Sequence, residues 1–339
     1  MSAPRRGTPH LLGLPYDASA SFLRGPAKAP PLIREALRSD VGNLWTEGMR
    51  DLGAAGALGD AGDLALPADG GARALIEAGV ASLLRDGHRP IVLGGDHSVT
   101  YPVLRALAPL HAGLTIVHVD AHPDLYDDFE RDRHSHACPF ARIMEEGLAA
   151  RLVQVGIRTM NGHQRTQADR FGVEVIDMRA WERGLRPGTD GPTYLSIDLD
   201  GLDPAHAPGV SHPEPGGLST RAVIGLIQQL PGTLVGADVV EYNPDRDPSG
   251  VTARVAAKLV KEIADRMLCD ISQSACAPPA SRPERPMGYS GQPHADPSGP
   301  PPQSPGPCAL SVTSPPSPRS SSSLPPAGRR TSRPSPRRG

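Results

Sequence analysis

The sequence predicts a three-layer α-β-α domain built on a central, mostly parallel sheet. Three observations lead there. Short apolar runs alternate with helical periodicity from about His10 to Leu268, the pattern of successive strand–helix units. The runs are apolar along their length rather than at every second residue, as in Thr115-Ile116-Val117-His118-Val119. Such strands are covered on both faces, which implies a parallel sheet flanked by helices. The helical segments, in contrast, are one-sided, with apolar residues three or four apart.

In chain order, the first expected strand is residues 10–14, where His-Leu-Leu-Gly-Leu begins close to the N-terminus. A helix is expected over 71–85, with Ile76, Val80, Leu83 and Leu84 on one stripe. Strand 90–93 then stops at Gly94-Gly95, a pair that lets the backbone turn sharply. Strands 114–120, 151–156, 173–177 and 193–198 follow, each short and rich in β-branched residues. Helix 220–230 carries Val223, Ile224, Ile227 and Leu230 on its buried face, and strand 234–240 comes next. The last helix, 251–267, repeats Val251, Val255, Leu259, Ile263 and Met267 every four residues, with Lys258, Lys261, Glu262 and Asp265 facing away.

Composition divides the chain into a body over residues 1–269 and a tail over 270–339. Of 39 prolines in 339 residues, 18 lie beyond Asp270, together with 8 arginines and 2 acidic residues. The formal net charge of −2 therefore conceals a basic tail and an acidic body. Segments such as SPPSPRSSSSLPP and RRTSRPSPRRG cannot bury enough apolar surface to offset the entropy of ordering, so the tail is expected to be disordered. A nucleic-acid partner is not expected except through this basic tail. No apolar run reaches the length of a membrane helix, and no apolar segment precedes Leu11 as a secretory signal would require. Cys138 and Cys269 in the body, with Cys276 and Cys308 in the tail, form neither a disulfide framework nor a cysteine zinc site. A reducing, cytoplasmic location is the expectation.

Four segments concentrate Asp, His and Glu at strand ends: Gly94-Gly95-Asp96-His97-Ser98, Asp120-Ala121-His122-Pro123-Asp124, Asp198-Leu199-Asp200, and Glu241-Tyr242-Asn243-Pro244. In an open parallel sheet the crevice beyond the carboxyl ends of the strands is where ligands bind, and all four segments would empty into it. Side chains two apart in extended backbone share a side, so Asp120, His122 and Asp124 can converge, as can Asp198 and Asp200. Clustered carboxylates at the end of an apolar strand are strongly unfavourable without a cation. Four carboxylates and two imidazoles, with no thiolate, suit hard-to-borderline divalent ions such as Mn²⁺. Six such ligands suit two ions bridged by carboxylates better than one catalytic ion.

The segments GGDHS, DAHPDLYD, SIDLDGLDPAHAPGVSHPEPGG and DVVEYNP resemble, in order, the signature blocks of the arginase/agmatinase (ureohydrolase) family. The likeness spans about residues 8 to 268 and is strongest to plant-type arginases and their bacterial agmatinase-like relatives. The resemblance implies two Mn²⁺ ions, His97 and Asp124 holding one and His122 and Asp200 the other, with Asp120 and Asp198 bridging. It implies hydrolysis of a terminal guanidino group to urea and an amine, with Asp124 passing a proton towards the leaving amine. His136, in His136-Ala137-Cys138-Pro139-Phe140, would be the proton shuttle, with His134 its rival. Glu241 would accept hydrogen bonds from the guanidinium. A homotrimer or hexamer is implied as well.

Other residues take supporting roles. Asp96, Asp203 and Asp238 are expected to cap or support rather than ligate, and His118 to be a satisfied core histidine. His206 and His212 are expected at the entrance, and Cys138 as a small buried residue. The stretch Leu125 to Arg133 holds more acid than base, and an acidic mouth on an acidic body favours a substrate with a cationic far end and no carboxylate. Agmatine, yielding putrescine, is therefore expected over the alternatives, arginine or another guanidino acid. A single-zinc acetylpolyamine-type deacetylase is the alternative from another class; His97, the Asp198/Asp200 pair and Glu241 argue against it.

Overall fold

A computed structural model describes residues 7–276. Eight strands, β1 (Pro9–Gly13), β2 (Gly59–Asp63), β3 (Arg89–Leu93), β4 (Thr115–Val119), β5 (Arg151–Val155), β6 (Glu174–Ile176), β7 (Pro192–Asp198) and β8 (Thr233–Val240), form one sheet in the order β2-β1-β3-β8-β7-β4-β5-β6. Every neighbouring pair is parallel. The strand ends therefore all face one way, and β3, β8, β7 and β4, which precede the four Asp/His/Glu segments, lie side by side at the centre.

The helices are α1 (Ala29–Arg38), α2 (Ala72–Arg85), α3 (Thr100–Leu107), α4 (Pro139–Glu145), α5 (Gly162–Phe171), α6 (Met178–Glu182), α7 (Thr220–Gln229) and α8 (Val251–Cys276). Alternate residues of each strand enter one of two apolar cores, as the two-residue period of a strand requires. Ile91, Leu93, Val117, Val119, Leu195, Ile197, Ala237 and Val239 pack with α1, α6, α7 and α8. Val92, Ile116, Leu152, Tyr194 and Val235 pack with α2, α3, α4 and α5. Helix, sheet, helix: the three-layer expectation holds, and all seven expected strands are present to within about two residues at their ends.

The strand that sequence reasoning missed is β2. Its Gly-Asp-Ala-Gly-Asp sequence lies largely exposed at the sheet edge, so it carries no apolar signature. Arg34 of α1 ties it down instead, through Asp60 at 3.0 Å and Asp63. Helix α5 is specified locally by a reciprocal cap between Asn161 and Gln164 and by Gly172 in the left-handed region at its end.

The folded body also extends past the 269/270 boundary read from composition. Helix α8 continues to Cys276, and Asp270 is buried, accepting from the Leu234 backbone N–H at 2.9 Å. Composition places the boundary early because, past Ile271, Ser272, Gln273 and Ser274 carry no apolar signature. The rest of the expected disordered tail lies outside the described residues. No helix among the described residues is long and apolar enough to cross a membrane.

Candidate metal centre and active site

Three backbone devices bring the four segments together. After β3 the chain passes directly beneath the loop that follows β1, and a Cβ on Gly95 would collide with the Tyr16 backbone. The Asp96 N–H donates to the Tyr16 carbonyl at 2.8 Å, and Asp96 accepts from the Ser19 and Ser98 N–H groups at 3.0 and 3.1 Å. Asp96 is thus a capping and strapping residue, as expected. Asp124 and Glu241 adopt left-handed backbone angles, φ 49° and 62°. Such non-glycine conformations cost about 1–3 kcal/mol and persist where their surroundings impose them.

The six expected ligands converge. His97 Nδ1 lies 3.3, 3.1 and 3.2 Å from carboxylate oxygens of Asp120, Asp124 and Asp198. His122 Nδ1 lies 3.5 Å from Asp120 and 3.1 Å from Asp200. Asp120 presents Oδ2 to His97 and Oδ1 to His122, so it faces both imidazoles. Among the described residues, buried His97 Nδ1 has no hydrogen-bond partner, although three carboxylates surround it. A ring nitrogen left without a hydrogen bond among three carboxylates is a ligand set suited to a cation. Ligand atoms of Asp120 converge with those of His97 and His118 in one set and with those of His122 and Asp200 in another.

The electrostatics agree. Burial, then Asp200 and Asp120, push Asp198 well above the ordinary carboxylate range. Burial and Asp120 push Asp200 up to about 7. Burial alone would raise Asp120 too, but His118, His122 and His97 hold it well below that range. Burial would likewise lower His122, yet Asp200 and Asp120 raise it to about 12. The cluster is short of positive charge and recruits it from its histidines.

Beneath this layer runs a row of buried polar groups, one residue pair lower in the sheet. Gln154, His118, Ser196 and Asp238 are register partners across β5, β4, β7 and β8. His97 Nε2 bonds Ser196 Oγ at 2.9 Å, and Ser196 donates to Asp238 at 2.7 Å. Asp238 also accepts from Thr100 Oγ1 at 2.9 Å and Tyr194 OH at 2.7 Å. Such partners orient a ligating imidazole. His118 bonds Asp120 at 2.7 Å and Gln154 at 3.1 Å and stacks on Phe140, so it is the satisfied core histidine expected. Ser196 and Gln154 were not singled out in the sequence. The signal was available, since Ser196 precedes Asp198 by two residues and so shares its face.

The cluster opens into a cleft of about 200 Å³ lined by His122, Asp124, Asp198, Asp200, His136 and Glu241, together with Tyr126, Phe129, Thr159 and Gln164. Among the described residues, no lysine or arginine lines it. Glu241 Oε1 accepts from the His97 N–H at 2.9 Å and pairs with His136 Nδ1 at 2.8 Å. Burial opposes charge on His136, but Glu241, then Asp96 and Asp124, raise its pKa to about 9. His134 stacks on Tyr101 instead and does not line the cleft, so the structure separates the two rival histidines. His212 is among the residues lining the cleft, its ring 5.3 Å from that of His136. His206 is not: it is exposed beside Thr220. Asp203 accepts from the Ala205, Gly216 and Gly217 N–H groups and shapes that loop. Cys138 is buried and free, its thiol pushed up to about 12 by burial.

Fold and site together define a parallel α/β protein with a carboxylate–histidine cluster that could hold a cation at the carboxyl edge of its sheet. A sequence model of the arginase family matches residues 8–265, and the chain belongs to that family. It is 48% identical over 275 residues to arginase 1, mitochondrial, of Arabidopsis thaliana, covering 76% of this chain and 80% of that protein. Against the solved arginase from Medicago truncatula it is 46% identical with a TM-score of 0.73, covering 77% of this chain and 87% of the other. It is 40% identical over 202 residues to agmatinase, mitochondrial, of Gallus gallus, covering 55% of this chain and 58% of that protein. The chain is therefore a ureohydrolase of the arginase family, a hydrolase of small guanidino compounds. The single-zinc deacetylase alternative is set aside, and the comparisons favour the arginase alternative over the agmatine preference read from the acidic loop. That preference rested on the charge of one loop and the lack of a carboxylate on agmatine; loop charge sets a long-range attraction and does not report the contacts made to a substrate's far end.

Proposed function

We propose that the protein hydrolyses arginine to ornithine and urea with two Mn²⁺ ions per subunit. The observation that carries the reading is Asp120 facing His97 with one oxygen and His122 with the other, in a chain whose similar relatives bear the name arginase. His97 and Asp124 would hold one ion and His122 and Asp200 the other, with Asp120 and Asp198 between them. Bound, the ions supply Lewis acidity that activates a water at neutral pH. The residues of the chain do the rest. Glu241, held by the His97 N–H and by His136, presents a carboxylate to the guanidinium and orients its carbon towards the ligand cluster. Asp124, in its left-handed conformation, sits between His97 and the cleft, where its second oxygen can carry a proton towards the leaving amine. His136 is within the same cleft as the proton shuttle.

Assembly as a homotrimer or hexamer belongs to this reading by resemblance. The cytoplasmic expectation rests on the free thiols Cys138 and Cys269, whereas the Arabidopsis relative carries mitochondrial in its name. The test is urea release by the manganese-loaded protein across arginine, agmatine, 4-guanidinobutyrate and guanidine. Arginine is expected to give the highest kcat/KM. Agmatine as the best substrate would return the acidic-mouth reading, and no urea from any of the four would discard the class.

A further inference from the structure

Ser21 is the one hydroxyl placed against the outer nitrogen of the His136 ring among the described residues. Its Oγ lies 2.8 Å from His136 Nε2, and its backbone N–H points at the same nitrogen at 3.2 Å. On the ring's other side Nδ1 is taken by Glu241 at 2.8 Å. His136 is buried while Ser21 is exposed, and both line the cleft. A proton leaving Nε2 therefore meets the Ser21 hydroxyl first.

The two groups of Ser21 behave differently. A backbone N–H can only donate, so it favours the ring with a lone pair on Nε2 and opposes the imidazolium. A hydroxyl rotates: it donates to Nε2 when that atom is bare and accepts from it when it is protonated. Only the hydroxyl satisfies both states. The loop is fixed in place for this. The His136 N–H donates to the Ser19 carbonyl at 3.1 Å, Ser19 N–H donates to Asp96 at 3.0 Å, and Tyr16 OH bonds Ser19 Oγ at 3.2 Å.

We propose that Ser21 relays the proton between His136 and the cleft. Resting on the ureohydrolase reading, the step balances as a concerted transfer. The Nε2–H bond breaks as Oγ gains that proton, and the original Oγ–H bond breaks as the leaving amine or a cleft water gains the other. One proton moves, the imidazole ends neutral, and the serine is unchanged.

The test uses the full chain, manganese-loaded, with urea release followed across pH. Acid–base groups contribute about 10²–10⁴-fold, and water can partly replace a relay, so Ser21→Ala is expected to lower kcat about tenfold or more. KM should stay within about twofold, because a proton-transfer defect acts on the transition state rather than on uniform binding. Ser21→Thr, which keeps the hydroxyl, should recover most of the loss, and added imidazole should raise the rate of Ser21→Ala but not of wild type. A second readout needs no turnover: in ¹⁵N-histidine-labelled protein, Ser21→Ala should move the His136 Nε2 resonance and Ser21→Thr should not. Wild-type kcat and pH profile in Ser21→Ala would overturn the relay. So would equal impairment of the Ala and Thr variants with a lowered Tm, which marks a packing role. A wild-type protein that releases no urea, but whose Nε2 signal still responds to Ser21→Ala, sinks the ureohydrolase reading and leaves the hydroxyl–imidazole pair standing.

Discussion

The two faces of the central sheet are built from the same strands yet follow different rules. Towards α1, α6, α7 and α8, the strand residues are apolar to their ends: Val117 and Val119, Leu195 and Ile197, Ala237 and Val239. Towards α2, α3, α4 and α5, the strands begin apolar and turn polar as they approach the carboxyl edge. There Ile116 gives way to His118 and Asp120, and Tyr194 to Ser196 and Asp198. One face supplies cohesion, while the other spends part of its apolar surface on oriented hydrogen bonds beneath the candidate metal ligands. The comparison teaches that stability and site construction are separated by single residues along a strand, because successive side chains point to opposite faces.

Substitutions that cross this divide sharpen or break the comparison. The largest effect is expected for Asp124→Asn, which should keep the fold but remove a proposed ligand and proton carrier; urea release should fall by at least about 10³-fold, on the scale of combined metal and acid–base losses. Near-wild-type turnover in that variant would sink the proposed mechanism. Leu195→Ala on the apolar face should destabilise the protein by about 2–5 kcal/mol in denaturant titrations, with urea release per folded molecule unchanged. Its neighbour Ser196→Ala should show the reverse, losing about 10–100-fold in manganese affinity by calorimetric titration with a much smaller loss of stability. If both substitutions moved the same quantity, the two faces would not be specialised.

A pH experiment probes the cleft in metal-free protein. The folded pKa of His136 is raised to about 9, above its unfolded value near 6.5. Its pairing with Glu241 therefore stabilises the fold fully below about pH 6.5. That contribution is lost as pH rises through about 9. The Tm difference between wild type and His136→Ala should be widest near pH 6 and close by about pH 10; a gap that widens with pH would contradict the pairing. The smallest effect belongs to the exposed ion pair of Glu47 with Arg221, 2.7 Å apart. Arg221 chiefly holds Glu47 below the ordinary carboxylate range, so its contribution is present above about pH 4.5 and lost as pH falls. Glu47→Gln should change Tm slightly at low salt and not at all at high salt, where exposed charges are screened.

Much of this was legible because the informative groups are local. The strand–helix alternation, the apolar runs and the Asp-x-His-x-Asp spacing are short-range patterns, and they located β3, β4, β7 and β8 and the six convergent residues. What escaped was either weakly patterned or defined by distant partners. Strand β2 is made of Gly, Ala and Asp and is a strand because β1 pairs with it. His134 and His136 are two residues apart, and nothing in their spacing says that one stacks on Tyr101 while the other meets Glu241, which lies more than a hundred positions later. Ser21 stands in the loop after β1, far from His136 in sequence. The end of α8 was placed too early because composition changes before the helix stops.

The sequence by itself determined the fold class, the four strand-end segments and the need for a cation, since periodicity and uncompensated charge are written in residue order. Tertiary structure alone decided the strand order β3-β8-β7-β4 that gathers those segments, the partition of the sheet into an apolar and a polar face, and the pairing of His136 with Glu241 and Ser21. The physical reason is that pairing between non-local strands is set by the packing of the whole sheet. A hydrogen bond across a hundred residues of sequence leaves no period for a local pattern to reveal.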